Sequence, residues 1–206
     1  MGLSADQIRT ALDALASREP AFGAAIGRIG YPEPRIRSCG YETLLRTIVG
    51  QQVSVHAANA VWNKLEAALG AGCAPEKLLA ADFDTLRGCG LSRQKQGYAR
   101  SLAELIVSGA LDLEHLPADD EEAIAELVKI KGIGRWSAEI YLLFAEGRAD
   151  IWPAGDLAIQ IEIGRILGHA DRPSEKMIRD LAEPWRPHRG AAAIFAWHHY
   201  KSDMPL

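Results

Sequence analysis

The sequence predicts an all-α fold of about ten helices, for three reasons. Apolar residues recur at spacings of three and four along most of the chain, as they do on one face of a helix. Alternating runs that indicate strands are scarce. Glycines, prolines and capping residues separate the helical stretches at short intervals, so that no long linker remains.

The predicted helices begin with a capping box at Ser4 and Gln7, whose side chains can satisfy each other's backbone amides. A short second helix is predicted after Pro20, and prolines 32 and 34 predict a loop over residues 30–40. Ser54 is a candidate cap after a break at residues 50–54. Further apolar stripes predict helices around residues 41–49, 58–69, 102–106, 124–128, 135–145, 159–167, 177–181 and 194–197.

Composition bounds the class of protein. A chain of 206 residues with 48% hydrophobic residues can bury a sizeable core, and no run is long enough to span a bilayer. The charged, helix-like N-terminus has no signal-peptide core, so we expect a cytoplasmic protein. Three cysteines are too few and too widely spaced for a disulfide framework or a zinc site. A net charge of −4 disfavours a general nucleic-acid binder but allows one that uses backbone amides and local basic spots.

One tight turn stands out between two predicted helices, at Lys131, Gly132, Ile133 and Gly134. Its glycines permit backbone conformations that a side chain would block and allow another backbone to approach. The loop amides and the start of the second helix then point outward together, which is an arrangement that binds anions such as phosphate. A similar turn at residues 88–90 is either a second hairpin of this kind or, as we favour, an ordinary helix C-terminus.

Hairpin, Trp152 and Asp156 together resemble the motif of the helix-hairpin-helix/Gly-Pro-Asp DNA glycosylase superfamily, with the greatest likeness to 3-methyladenine DNA glycosylases of type II. The resemblance covers most of residues 40–200, and Lys131 replaces the proline that is usual before the first glycine. It implies two helical lobes with a cleft between them. We expect residues 1–206 to form a single catalytic domain, with the hairpin at about 124–145 and no extra N-terminal domain.

Asp156 is the predicted catalytic residue. An aspartate before Leu157 is also a favoured helix N-cap, and the two roles are compatible, because helix amides and the helix dipole favour an ionised carboxylate. Cleavage of an N-glycosidic bond builds positive charge on the sugar, which a fixed anion stabilises. The carboxylate can also orient or deprotonate the attacking water.

Position 136 bears on the mechanism. Relatives that also cut the DNA backbone carry a lysine there, whereas this chain has Trp136, so the resemblance implies a monofunctional glycosylase that uses water. Only one carboxylate is apparent for the reaction. That suits a base that is already cationic, such as 3-methyladenine or 7-methylguanine, because it leaves without protonation.

The resemblance also suggests where the base and the duplex are held. Trp136 and Trp197 match aromatic pocket positions, where they could stack on a cationic base, but both could equally be core residues. Tyr141, one residue from a family tyrosine, and Trp152 are further pocket candidates, and packing is an equal alternative for Trp152. Gln52, with Gln51 beside it, matches the wedge that fills the duplex when the base flips out, although both glutamines could simply tie a loop together.

Phosphate and cation binding are implied at the hairpin. One DNA phosphate would be held by Lys131, Gly132, Ile133, Gly134 and Arg135, and a monovalent Na⁺ or K⁺ by the backbone carbonyls of Val128, Ile130 and Ile133. We expect no required cofactor and no iron–sulfur cluster. The histidines lack metal-ligand spacing, and we expect the pair His198 and His199 at the surface. The predicted partner is double-stranded DNA with a damaged base, bound by a monomer without membrane contact.

Two alternatives remain open from the sequence. The same scaffold could act on another lesion, such as hypoxanthine, uracil or an oxidised purine, because specificity lies in the pocket and not in the fold. A non-catalytic helix-hairpin-helix module that only binds DNA would need the turn, but it would not need Asp156 or the tryptophans. Residues 1–40, including Phe22 or Tyr31, could supply a pocket wall.

Overall fold

The computed structural model of the chain describes residues 2–202, and the all-α prediction is confirmed there, since those residues contain no strand. Twelve α-helices form within this range, two more than expected. The two six-residue helices Pro75–Ala80 and Phe83–Gly88 are too short to give a periodic pattern. The helices are α1 Ala5–Arg18, α2 Pro20–Ile29, α3 Tyr41–Gly50, α4 Val55–Leu69, α5 Pro75–Ala80, α6 Phe83–Gly88, α7 Arg93–Val107, α8 Asp120–Leu127, α9 Arg135–Tyr141, α10 Leu157–Ile166, α11 Glu175–Ala182 and α12 Arg189–Ser202.

The predicted caps define the helix starts. Ser4 Oγ accepts from Gln7 N at 3.2 Å while Gln7 Oε1 accepts from Ser4 N at 2.9 Å, which completes the capping box of α1. Ser54 Oγ accepts from Ala57 N at 3.2 Å and caps α4 without a reciprocal bond. The helix predicted at 135–145 is regular only to Tyr141 and continues as a π-helical segment, Leu142–Glu146. Such segments are rare and often occur at functional sites.

The chain folds into two compact units. Ser38–Tyr141 forms one, which we call the hairpin unit, and the segments before and after it form the other, the aspartate unit. In the hairpin unit α7 packs against α3 and α5, and Leu44, Leu45 and Leu102 are fully buried. In the aspartate unit α12 packs against α10, α1 and α2.

An aromatic cluster forms the core of the aspartate unit. The Phe22 ring lies edge-on to Trp185 at 5.1 Å and tilted against Phe195 at 5.9 Å between ring centroids. Phe22 is therefore a core residue and forms no pocket wall. Within residues 2–202, no helix combines the length and the apolar character needed to cross a bilayer.

Candidate active site and nucleic-acid interface

The hairpin turn between α8 and α9 is held by three hydrogen bonds. Ile133 N donates to Ile130 O at 3.0 Å, and Lys131 N donates to Ser101 Oγ at 3.2 Å. The side-chain amide of Gln51 donates to Gly132 O at 2.7 Å. Ile133 itself is buried, so its side chain anchors the turn in the core of the hairpin unit.

The two hairpin glycines have different roles, contrary to the expectation that both permit unusual backbone. Gly132 has a φ of +83°, and a Cβ placed there would lie 2.2 Å from the ring of Tyr98. The close neighbour is thus an aromatic ring and not another backbone. Gly134 has an ordinary φ and open space where a Cβ would be. Only Gly132 is required as glycine by the fold.

The amides that could hold a phosphate are fewer than the sequence suggests. Lys131 N and Ile133 N are used inside the protein, so these two amides cannot also donate to a ligand. Among residues 2–202, no acceptor is bonded to the amides of Gly132 or Gly134. The exposed side chain of Lys131 lies on the same turn. The amides of Gly132 and Gly134 and the side chain of Lys131 are therefore available to an anion, and phosphate binding at this turn stays a prediction.

Arg135 is a correction to the predicted phosphate ligands. Its guanidinium donates to both carboxylate oxygens of Glu121, at 2.7 and 2.5 Å, and to Glu139 Oε1 at 2.9 Å. These interactions, first the hydrogen bonds to Glu121, raise the pKa of Arg135 above its usual value. The arginine therefore links α9 to α8 and is engaged by two acids, which leaves little of it for a phosphate.

The carbonyls predicted to hold a monovalent cation border the same turn. Ile130 O already accepts from Ile133 N, while no donor within residues 2–202 is bonded to the carbonyls of Val128 and Ile133. Two of the three oxygens are thus available to a cation, and this site stays a prediction. No group of three or more histidine, cysteine, aspartate or glutamate side chains in the described part of the chain has metal-binding geometry.

Asp156 lies at the first turn of α10. Its Oδ1 accepts from Ile159 N at 3.1 Å, so the N-cap interpretation holds. The turn before it is closed by a hydrogen bond from Asp156 N to Pro153 O at 2.9 Å, and Gln160 Nε2 donates back to Ala154 O at 2.8 Å. The carboxylate is half-buried. The carboxyl group is thus fixed at the helix start and partly accessible to solvent.

A buried polar cluster fixes the other end of α10. Glu162 is fully buried, and its Oε2 contacts Nδ1 of His199 at 2.6 Å. Arg28 Nη2 contacts the other ring nitrogen of His199, and Arg165 Nη1 donates to Glu162 Oε1 at 2.8 Å. Because arginine can only donate, the geometry assigns the proton of His199 to Nδ1. The expectation of a surface role for this histidine is wrong.

Trp197 lines a cavity of about 150 Å³ within the aspartate unit. Its ring lies against Phe144 of the π-helical segment, with 5.6 Å between centroids. The loop before α3 contributes Pro32, Glu33 and Arg35 to the lining. That loop is pinned by a hydrogen bond from Arg37 N to Phe144 O at 2.9 Å. Three residues of the segment 1–40 therefore line this cavity, and a base-pocket wall from that segment stays a prediction.

The other pocket candidates separate clearly. Trp136 is 48% exposed, so it is no core residue. Trp152 is 4% exposed, donates from Nε1 to Ile178 O at 3.2 Å and lies edge-on to Trp185, so packing accounts for it. Tyr141 is buried and its hydroxyl accepts from Gly40 N at 2.8 Å, which also gives it a structural role. Trp136 and Trp197 remain as candidates for stacking.

The two candidate wedge residues also differ. Gln51 is tied to the hairpin through Gly132 O, as the loop-tying alternative expected. Gln52 is exposed, with a φ of +56°, a left-handed conformation that is uncommon for a residue other than glycine. We call residues 50–54 the wedge loop. Gln52 is exposed together with Val53 and Ser54, and strained backbone such as that at Gln52 is concentrated at functional sites.

Comparison with known families assigns this combination of hairpin and aspartate. The model described as HhH-GPD superfamily base excision DNA repair protein matches residues 45–187, more than half of the chain. This chain belongs to that superfamily. The match spans the wedge loop, the hairpin and Asp156, and it ends before Trp197.

Individual relatives of this HhH-GPD protein are named for alkylated bases. DNA-3-methyladenine glycosylase 1 of Schizosaccharomyces pombe is 35% identical over 163 residues, which cover 76% of this chain and 71% of that protein. A solved structure of the S. pombe enzyme Mag1 in complex with abasic DNA has a TM-score of 0.77 at 30% identity, covering 94% of this chain and 96% of that one. A DNA-3-methyladenine glycosidase from Bacillus halodurans has a TM-score of 0.85 at 28% identity, with coverages of 92% and 88%.

Sequence reasoning missed two features of this HhH-GPD protein. The partner of Trp197 is Phe144, whose π-helical segment has no sequence signature that we know. The buried pair of Glu162 and His199 joins two helices 37 positions apart, so local pattern could not reveal it. Glu162 lies on a largely apolar face of α10, and a charge in that position was the available signal.

Proposed function

We propose that this protein is a monofunctional DNA glycosylase that hydrolyses the N-glycosidic bond of alkylated purines, such as 3-methyladenine and 7-methylguanine, in base excision repair. The superfamily and the printed names of its relatives support the reaction class. The observation that carries the mechanism is Asp156 at the N-terminus of α10, half-buried and hydrogen-bonded to Ile159 N.

Asp156 would stabilise the positive charge that develops on the sugar as the bond breaks. A carboxylate whose position is fixed before the reaction need not reorganise, and preorganised charge is the largest catalytic effect in many enzymes. The same group can orient the attacking water or accept its proton. Glu162 and His199 support this role by anchoring the helix that carries Asp156.

Water is the proposed nucleophile because position 136 is tryptophan. An indole nitrogen cannot form a Schiff base with C1′, so we expect release of the base and an intact abasic strand. Borohydride, which traps lysine–DNA adducts, should trap no covalent complex. A trapped complex would show that another amine attacks the sugar and would overturn the monofunctional assignment.

Alkylated purines are the proposed substrates because their cationic bases fit an aromatic site. Trp197, packed beside Phe144, offers an indole face. A cation over such a face is stabilised by about 0.5–2 kcal/mol. Trp136, which is half exposed, is the second candidate. A cationic base is also a good leaving group, so Asp156 could suffice without an acid to protonate it.

Duplex DNA with a damaged base is the proposed partner, and we propose that the protein acts on it as a cytoplasmic monomer. The amides of Gly132 and Gly134 with Lys131 would hold one phosphate, and Gln52 would occupy the space of the flipped nucleotide. A monovalent cation on the hairpin carbonyls would strengthen the binding of this phosphate. Replacing K⁺ by tetramethylammonium should then weaken DNA binding, and equal affinity in both salts would exclude the cation.

The experiment that tests the function is chromatography of the bases released from methylated duplex DNA. The expected result is release of 3-methyladenine or 7-methylguanine and not of hypoxanthine, uracil or 8-oxoguanine from matched duplexes. Release of one of the latter bases alone would move the protein to another lesion. Binding of the duplex with no release of any base would leave a DNA-binding module.

A further inference from the structure

The wedge loop and the hairpin turn are joined by one side-chain hydrogen bond. Gln51 follows the last residue of α3, and its side-chain Nε2 donates to Gly132 O at 2.7 Å. The next residue, Gln52, is exposed and left-handed. The bond therefore connects the residue before Gln52 to Gly132, whose own amide has no bonded acceptor within residues 2–202.

Gly132 is a fixed acceptor for this bond. The Tyr98 ring packs on its Cα so closely that a Cβ would lie 2.2 Å away, and the Tyr98 hydroxyl accepts from Gln94 Nε2 at 2.5 Å. Lys131 N is bonded to Ser101 Oγ. The side chains of Gln94, Tyr98 and Ser101 all come from α7, so this helix supports the turn.

Helix α7 also supports the end of α3, directly before the wedge loop. Lys95 Nζ donates to Val49 O at 2.7 Å, at the end of α3. The ammonium is partly buried in this position, which lowers the pKa of Lys95. Lys95 and Tyr98 are three residues apart and thus on one face of α7. One helix face therefore supports both the loop and the turn, and Gln51 closes the connection between them.

We propose that Gln51 is a positioning residue that holds the wedge loop at a fixed distance from the phosphate-binding turn. The inference rests on the proposed function, in which the turn grips a phosphate and Gln52 fills the duplex. Flipping a base costs a few kcal/mol. The free energy of phosphate binding can offset that cost only if Gln52 keeps a fixed distance from the bound phosphate while it enters the duplex. The hydrogen bond from Gln51 to Gly132 O keeps this distance fixed.

The test uses Gln51→Met, which keeps the length of the side chain and removes its donor. The probe is a duplex with 2′-fluorinated 7-methyldeoxyguanosine, whose glycosidic bond is slow to break, next to 2-aminopurine, whose fluorescence rises when its neighbour leaves the stack. We expect the extrusion equilibrium to fall about 3–10-fold, the worth of one hydrogen bond. Affinity for undamaged duplex should change less than twofold.

A double-mutant cycle separates positioning from general destabilisation. If Gln51 acts through Gln52, then Gln51→Met should have no further effect on extrusion in a Gln52→Ala background. The inference, but not the proposed function, would be overturned by either of two results. One is that Gln51→Met reduces extrusion by the same factor in both backgrounds. The other is that it weakens binding of undamaged duplex in parallel. A wild-type protein that binds the probe and extrudes nothing would instead overturn the proposed function, and this inference with it.

Discussion

Two helices of this protein, α9 in the hairpin unit and α10 in the aspartate unit, begin in opposite ways. The residue before α9 is Gly134, which has no side chain, and its amide finds no acceptor within residues 2–202. The residue before α10 is Asp156, whose own carboxylate accepts from Ile159 N. Both starts present the positive end of a helix dipole, but only one of them carries its own anion.

The difference matches the proposed division between DNA binding at α9 and chemistry at α10. An uncapped start leaves donors for an anion that arrives from outside, which suits a DNA phosphate. A capped start holds a carboxylate in one orientation, which suits a charge that must be in place before bond cleavage. Four predictions test this division, beginning with the largest expected effect.

The position of Asp156 at the start of α10 should depend on the buried cluster of Glu162 and His199 further along that helix. Glu162→Ala removes the buried acid that binds His199 and Arg165, and breaking a buried pair costs about 3–5 kcal/mol. The free energy of unfolding from urea titration should fall by that amount. The matched control is Glu175→Ala, which removes a largely exposed pair with Arg179 and should cost less than about 1 kcal/mol. Equal losses would mean that the cluster is no anchor.

Asp156→Asn should separate capping from chemistry. Asparagine caps helices as well as aspartate does, so stability should hold. The rate of base release should drop about 10²–10³-fold, the usual effect of losing one preorganised electrostatic group. Single-turnover kinetics with saturating protein measures this directly.

The control for that substitution is another aspartate cap. Asp82 caps α6 by accepting from Thr85 N at 2.7 Å, and that hydrogen bond lowers the pKa of Asp82. Asp82→Asn should leave base release unchanged. If Asp156→Asn were as active as Asp82→Asn, then Asp156 would be a cap and nothing more.

The uncapped start should depend on one glycine and not on its neighbour. Gly132→Ala forces a side chain into Tyr98 and into a left-handed backbone, with an expected cost of about 2–3 kcal/mol. Duplex binding should weaken with it. Gly134→Ala meets open space and should cost no more than about 1 kcal/mol. If both variants lost stability equally, the packing of Tyr98 would not be the cause.

The smallest expected effect concerns charge at the same turn. Lys131→Ala should reduce the slope of log affinity against log salt by about 0.9, the value for one phosphate contact. The control is Lys129→Ala, two residues away, because Lys129 Nζ is paired with Glu126 at 2.6 Å. A slope that changed only for Lys129→Ala would place the phosphate elsewhere.

Local signals account for what could be predicted from the sequence. The capping box at Ser4, the cap at Ser54 and the helix pair around Gly132 all depend on residues a few positions apart, and all are present. Asp156 is of this kind too, since its cap is made to a residue three positions later. Here short-range spacing is enough because a helix start is a local structure.

The sequence failed where distant partners decide the role of a side chain. Arg135 looks like a phosphate ligand until Glu121, fourteen positions earlier, occupies its guanidinium. Trp152 is open to both a pocket and a packing role until Trp185 and Ile178 enclose it, and the donor of Gln51 is committed to Gly132, 81 positions later. None of these contacts has a period or a motif. They arise only when helices from different parts of the chain pack.

The cap at Asp156 has a consequence for how this gene can drift. Aspartate and asparagine codons differ by a single base, and both residues start a helix equally well. If Asp156 has the proposed catalytic role, one point mutation would convert the enzyme into a folded protein that still binds DNA but leaves the lesion in place. Selection on protein stability could not remove such a copy. It would compete with active copies for damaged sites and shield them from repair.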